Sequence, residues 1–153
     1  MPPLLLLIDQ QQGIRAPHLG PRNHPEAELR MAELLATWRQ RRVPLIHVRH
    51  LSRSPSSVFW PGQPGVEFQP ELAPLPGETI FDKQVPDAFT HSGLERWLLQ
   101  RGIEELHLRC GQREFGGSYR PQRRQSRLSH LGGGRCLLYL RQGRLRRTSL
   151  QCR

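Results

Sequence analysis

Lysine is nearly absent from this sequence. Lys83 stands alone, and arginine supplies every other fixed positive side chain. Cysteine is scarce as well. Cys110, Cys136 and Cys152 show no paired spacing, which argues against a zinc site or a disulfide framework and suits a reducing cytosol. No apolar stretch approaches the roughly 18 residues of a membrane span. The longest run, Leu4 to Ile8, lacks a basic flank and is too short for a secretory signal, so no signal peptide is read and a cytoplasmic location is expected. Acidic residues are missing from one region only. Residues 109–153 hold 12 Arg and a single acid, Glu114, whereas residues 1–108 hold 11 basic and 12 acidic side chains. The formal charge of +10 therefore belongs to the last 45 residues and does not mark the whole chain as a nucleic-acid binder. The length of 153 residues suits one domain with a real core.

What is present starts with Leu4-Leu5-Leu6-Leu7-Ile8-Asp9. Five apolar residues without alternation, too few for a packed helix, predict a strand buried on both faces, as in parallel sheets. Asp9 then falls at the carboxyl end of that strand, where α/β sheets collect ligands, although an Asp there can equally cap a turn. Pro17, Gly20 and Pro21 keep the next stretch a loop. A helix is expected over about 25–41. Asn23 is its cap, Glu26 closes the capping box and Pro25 lies in the first turn. Ala27, Met31, Leu34, Leu35 and Trp38 form its apolar face. Arg39, Arg41 and Arg42 read as a solvated helix end.

Residues 43–48 predict the second strand, completing a βαβ unit. His47 reads as a hydrogen-bonded core histidine, and His50, at the strand's end, is the better site candidate. Residues 51–78 form a long loop with Phe59, Trp60 and Phe68. Such loops are functional or disordered, and its aromatics suit a pocket wall. Thr79 to Phe81 is a short strand delivering Lys83 to the same edge as Asp9. A second helix is expected over 92–101, capped by Ser92 with Glu95 closing the box and Gly102 ending it. Residues 103–108 give a fourth strand.

These residues resemble the isochorismatase-like superfamily, also called cysteine hydrolases, which includes nicotinamidases. The matches run in the family's order. They are Leu-Ile-Asp-x-Gln at 7–11, His-Val-Arg-His at 47–50, Pro-Gly-x-x-Phe at 64–68 and Gly77-Glu78. Lys83 followed by Asp87-Ala88-Phe89, then Leu94-Glu95 and Gly102-Ile103, complete the series. The resemblance covers residues 1–108 and implies a doubly wound, three-layer α/β fold with a parallel sheet. It also implies hydrolysis of an amide or related small molecule by an Asp–Lys–Cys triad, with Asp9 and Lys83 on the first two positions. Asp would act as general base towards a thiol, and backbone amides after the fourth strand would hold the oxyanion. Some members cleave a vinyl ether with the Asp as acid and need no cysteine. Gln11, His50, Trp60, Phe68 and Phe89 are the substrate-binding candidates. A homo-oligomer is expected, with no metal, cofactor or membrane partner. Asp9 and Lys83 should face one another across the sheet edge, covered by the loop carrying Phe59, Trp60 and Phe68.

From residue 109 the resemblance stops. Cys110 lies too close to the strand for the nucleophile position, and no helix start precedes Cys136 or Cys152. The tail reads as an out-of-frame translation. Back-translated degenerately and read one nucleotide later, residues 114–147 permit Asn-Ser-Val-Glu-Ala-Thr-Ala-Arg-Asn-Ala-Gly-Asn-Leu-Gly-Phe-Pro-Thr-Trp-Val-Val-Glu-Asp-Ala-Cys-Phe-Thr-Phe-Asp-Lys-Ala-Asp-Phe-Asp-Gly. That decoding looks like the family's nucleophile helix, its fifth strand and the acidic-aromatic stretch beyond. The chain's activity is accordingly expected to be impaired, and the tail is expected to add no ordered strand. Two competing readings remain. One is a basic arm that grips RNA or DNA non-specifically through phosphates, with Phe115, Tyr119 and Tyr139 for stacking. The other is a pseudoenzyme that only assembles with relatives.

Overall fold

The computed structural model describes residues 4–20, 26–103, 105–110, 136–141 and 144–147, and from residue 104 onward the backbone alone. Its elements in chain order are β1 (Leu4–Ile8), α1 (Ala27–Gln40), β2 (Leu45–His50), β3 (Thr79–Lys83), α2 (Leu94–Gln100), β4 (Glu105–Cys110), β5 (Cys136–Arg141) and β6 (Arg144–Arg147). The sheet order is β3-β2-β1-β4-β5-β6. β1 pairs in parallel with β2 and with β4, and β2 in parallel with β3. The direction of strand addition thus reverses at β1, which makes the crevice between the carboxyl ends of β1 and β4 the topological switch point.

β1 is the hub because it is apolar on both faces. Leu4, Leu6 and Ile8 pack with Ile46, Val48, Leu94, Leu98 and Ile103. Leu5 and Leu7 turn the other way, onto Met31, Leu35 and Leu72. Side chains alternate along a strand, so α1 and α2 lie on opposite faces and the sheet is wound on both sides. Burying each leucine contributes about 1.5–3 kcal/mol.

Both helices end in the same way. In α2, Ile103 N–H bonds Leu98 C=O and Gly102 N–H bonds Leu99 C=O, with Gly102 at φ +61°. In α1, Val43 N–H bonds Trp38 C=O and Arg42 N–H bonds Arg39 C=O. These are Schellman closures, which need a left-handed residue. Gly102 meets that need freely, whereas Arg42 adopts φ +52° against its Cβ.

Three expectations change here. β5 pairs with β4, antiparallel, and β6 with β5, so the tail does add strands. Residues 137–140 are its one apolar run, and pairing them covers a β4 edge that would otherwise be open. An antiparallel neighbour needs no helical crossover. At α2 the N-cap is Gly93, in the left-handed region, and Ser92 acts one residue earlier. Its hydroxyl accepts from Leu94 N–H at 3.2 Å and donates to Ala88 C=O at 2.6 Å. At α1 Glu26 is the cap position, without a side-chain bond, and Asn23 and Pro25 lie outside the described residues. No described helix is long and apolar enough to cross a membrane.

Candidate active site

The chain leaves β1 through a sharp change of direction. Asp9 N–H still bonds Val48 C=O at 2.9 Å, but Asp9 itself sits at φ +57°. Asp tolerates this conformation better than most residues, at a cost on the order of 1 kcal/mol. Lys83 ends β3, two strands away, with His50 of β2 as its register partner between them. Adjacent strands are about 4.8 Å apart, so a long side chain is needed to cross β2. Lys83 makes that crossing, and its Nζ lies 2.9 Å from Asp9 Oδ2. It also donates to Pro86 C=O at 2.9 Å. The Lys83 side chain is 1% exposed and that of Asp9 4%. A buried ion pair of this kind is weak evidence for stability, because desolvation offsets most of its attraction.

The neighbouring candidates fall into different roles. His50 lies beside Lys83, and its ring meets Phe59 edge to face with centroids 5.6 Å apart. Burial, reinforced by the Lys83 charge and partly opposed by Asp9, lowers its pKa and keeps the imidazole neutral at pH 7. Gln11 is fully buried, and its carboxamide is spent on backbone groups. It accepts from His50 N–H at 2.7 Å and donates to His50 C=O at 2.9 Å and Val66 C=O at 2.8 Å. Trp60 is half-buried in the turn closed by Gln63 N–H on Trp60 C=O.

Phe68 and Phe89 occupy different places. Phe68 pairs through its backbone with Gln11, two residues beyond Asp9, and its ring packs edge-on to His47 at 5.7 Å. Phe89 is a core residue of the α2 side, 8% exposed. The aromatic loop is therefore split. The Phe59 ring meets His50 at the carboxyl edge, and the Phe68 ring turns to His47.

Two features escaped the sequence reading. Gly13 and Gly65 cross so closely that a Cβ on Gly13 would fall 2.9 Å from Gly65 O and one on Gly65 3.1 Å from Gly13 Cα, where it would also collide with Val58 O. This contact fastens the loop to the turn after Asp9. The other is a polar hub around Glu78, under α1. Arg39 reaches Glu78 twice, at 2.7 and 2.9 Å, and His47 Nε2 meets it at 2.9 Å. Arg39 is therefore no solvated helix end. Against the opposing effect of burial, the Arg39, Leu75 N–H and His47 bonds bring the Glu78 pKa down to about 2. His47 is fully buried, as expected of a core histidine, and burial lowers its pKa despite Glu78. The Gly77-Glu78 motif was the available signal for this hub. Among the described residues no group of three or more His, Cys, Asp or Glu could hold a metal ion.

A doubly wound parallel sheet bearing a buried Asp–Lys contact at its carboxyl edge defines an α/β protein of the isochorismatase-like kind. The comparisons agree. An isochorismatase domain model matches residues 3–111, and the chain belongs to that family. A solved structure from Chromobacterium violaceum, described as of the isochorismatase family, is 53% identical. It covers 71% of this chain and 56% of its own, with a TM-score of 0.69. An isochorismatase from Pseudomonas putida is 33% identical over 72% of this chain and 59% of its own, with a TM-score of 0.62. The isochorismatase family protein YrdC of Bacillus subtilis is 30% identical over 94 residues. That alignment takes in 61% of this chain and 50% of YrdC, so the chain spans about half the length of this curated relative.

Proposed function

We propose that this chain carries the Asp9–Lys83 half of an isochorismatase-type hydrolase site for an amide or related small molecule, and that its own activity is impaired. The carrying observation is the buried 2.9 Å contact between Lys83 Nζ and Asp9 Oδ2. In amide hydrolysis Asp9 takes the proton of the attacking hydroxyl, thiol or water and returns it to the departing nitrogen as the C–N bond breaks. Lys83 holds a fixed positive charge beside that transfer, where low dielectric makes it effective. His50, Trp60, Phe68 and Phe89 are the candidates for the substrate wall, and Gln11 acts on that wall through backbone groups.

The proposed impairment rests on the tail. The family match ends at residue 111, where the composition turns to arginine, and the one-nucleotide-later decoding of 114–147 permits a nucleophile-helix sequence. In that decoding Phe115 can become only Ser or Leu, because its codons are TTC and TTT and the next begins with G. This supports a second form of the reading. A parent without the cysteine would use Asp9 as a general acid, protonating the terminal carbon of a vinyl ether. Water then adds to the resulting oxocarbenium ion, and the hemiketal collapses to a ketone and an alcohol. The test is a restored-frame chain assayed on a panel of small amides and vinyl ethers. Turnover should vanish in Asp9→Asn and survive thiol alkylation. Turnover that survives Asp9→Asn overturns the reading. The rival reading, a nucleic-acid module using the basic tail, requires RNA binding that weakens steeply with salt and disappears on deleting 109–153.

A further inference from the structure

Lys83 must be held at one height for its ammonium to cross β2 and meet Asp9. The structure contains a short mechanical circuit that does this. The Gln11 carboxamide uses both faces of the amide on the end of β2, accepting from His50 N–H at 2.7 Å and donating to His50 C=O at 2.9 Å. Its remaining N–H ties in Val66 C=O at 2.8 Å, so the loop is gripped by the same group. The amide has one workable orientation. Reversed, its oxygen would face two carbonyls and its NH2 a backbone N–H. The next residue, Leu51, donates its N–H to Lys83 C=O at 2.8 Å. The path then returns through the Lys83 side chain to Asp9, two residues before Gln11.

We propose that Gln11 is a positioning residue that sets the Lys83–Asp9 contact by fixing the end of β2. It touches neither ammonium nor carboxylate and acts through His50 and Leu51. The inference rests on the reading of Asp9 and Lys83 as the reacting pair, but its test does not use turnover. Lys83 is the only lysine, so amine acylation of the native chain reports on this contact directly, with the chain's α-amine as dose reference. At 2% exposure, Lys83 should be protected from acetic anhydride in the wild type.

Gln11→Ala loses all three of the carboxamide's bonds and should raise the acetylation rate at Lys83 at least about tenfold, the equivalent of a single net hydrogen bond. Leu35→Ala, a cavity on the α1 side, is the control for general destabilisation. With urea added until both variants have the same folded fraction, it should leave Lys83 protected. Gln11→Glu keeps the acceptor for His50 N–H but sets a buried oxygen against the carbonyls of His50 and Val66, so it should expose Lys83 at least as much as Gln11→Ala. Gln11→Met, which keeps the volume without the amide, should do the same and decides the matter if neither of the others folds. Equal rates in Gln11→Ala and Leu35→Ala, or continued protection in Gln11→Glu or Gln11→Met, overturn the proposal. Failure of the hydrolase reading would appear elsewhere, as turnover surviving Asp9→Asn with the labelling pattern intact.

Discussion

The Asp9–Lys83 contact makes a quantitative prediction about folding. Replacing Lys83 by methionine keeps the apolar stem and removes the charge. It leaves the Asp9 carboxylate, 4% exposed, without its ammonium, and Pro86 C=O without its donor. Removing one partner of a buried pair costs about 3–5 kcal/mol, and an orphaned carbonyl adds about 1 kcal/mol. Asp9→Asn should fall in the same range, because it strands the ammonium. The double variant strands neither charge. If the pair is kept for chemistry, the double variant should cost no more than Lys83→Met alone, which makes the coupling in a double-mutant cycle at least about 3–5 kcal/mol. A domain of this size is stable by only about 5–15 kcal/mol, so the single variants should shift the urea midpoint strongly. The readout is equilibrium urea unfolding followed by tryptophan fluorescence. Additivity within about 0.5 kcal/mol would show that the two groups do not interact as described.

Three further outcomes follow from the fold. Gly65→Ala should destabilise the chain by about 2 kcal/mol or more, since its Cβ would collide with Val58 O and crowd Gly13 Cα at 3.1 Å; an unchanged melting temperature contradicts this close packing. Arg42→Gly should stabilise by about 0.5–1 kcal/mol, because only glycine takes φ +52° without cost, and thermal melting checks the sign. Glu78 has a depressed pKa, so its contribution is complete above the usual carboxylate value of 4.5 and is lost as pH falls through about 2. His47, also depressed, adds stability that is present above 6.5 and declines as pH falls below it. Glu78→Gln should therefore cost about 1–2 kcal/mol at neutral pH, allowing for solvent screening, and flatten the acid limb of stability against pH. An acid limb identical to the wild type's would contradict the hub.

The sequence carried the sheet well because the signals were local. Five consecutive apolar residues before Asp9 have few structural solutions, and the Schellman glycine at 102 is a positional rule. The meeting of Asp9 with Lys83 was legible only as a consequence of strand order, since it needs two strands to end at one edge. The split of the aromatic loop was not legible. Phe59 and Phe68 lie nine residues apart in an irregular segment, and nothing local says that one turns to His50 and the other to His47. Arg39 was misread for a related reason: a helix end looks solvated until a distant Glu78 arrives beneath it. The antiparallel β5 was missed because the drive to cover an open edge acts on any apolar run within reach, whatever its origin. Gly13 and Gly65 are ordinary loop glycines until the loop folds back.

The central claim is that the Asp9–Lys83 half-site is followed by family sequence read in the wrong frame. The most direct test is the nucleotide sequence across codons 109–147. The account predicts that reading one nucleotide later yields Asn-Ser-Val-Glu at codons 114–117 and continues without a stop into the Val-Val-Glu-Asp stretch. Bases that cannot give Asn-Ser-Val-Glu, or a stop codon within that run, would contradict it, and the arginine-rich tail would then have to be explained as it stands.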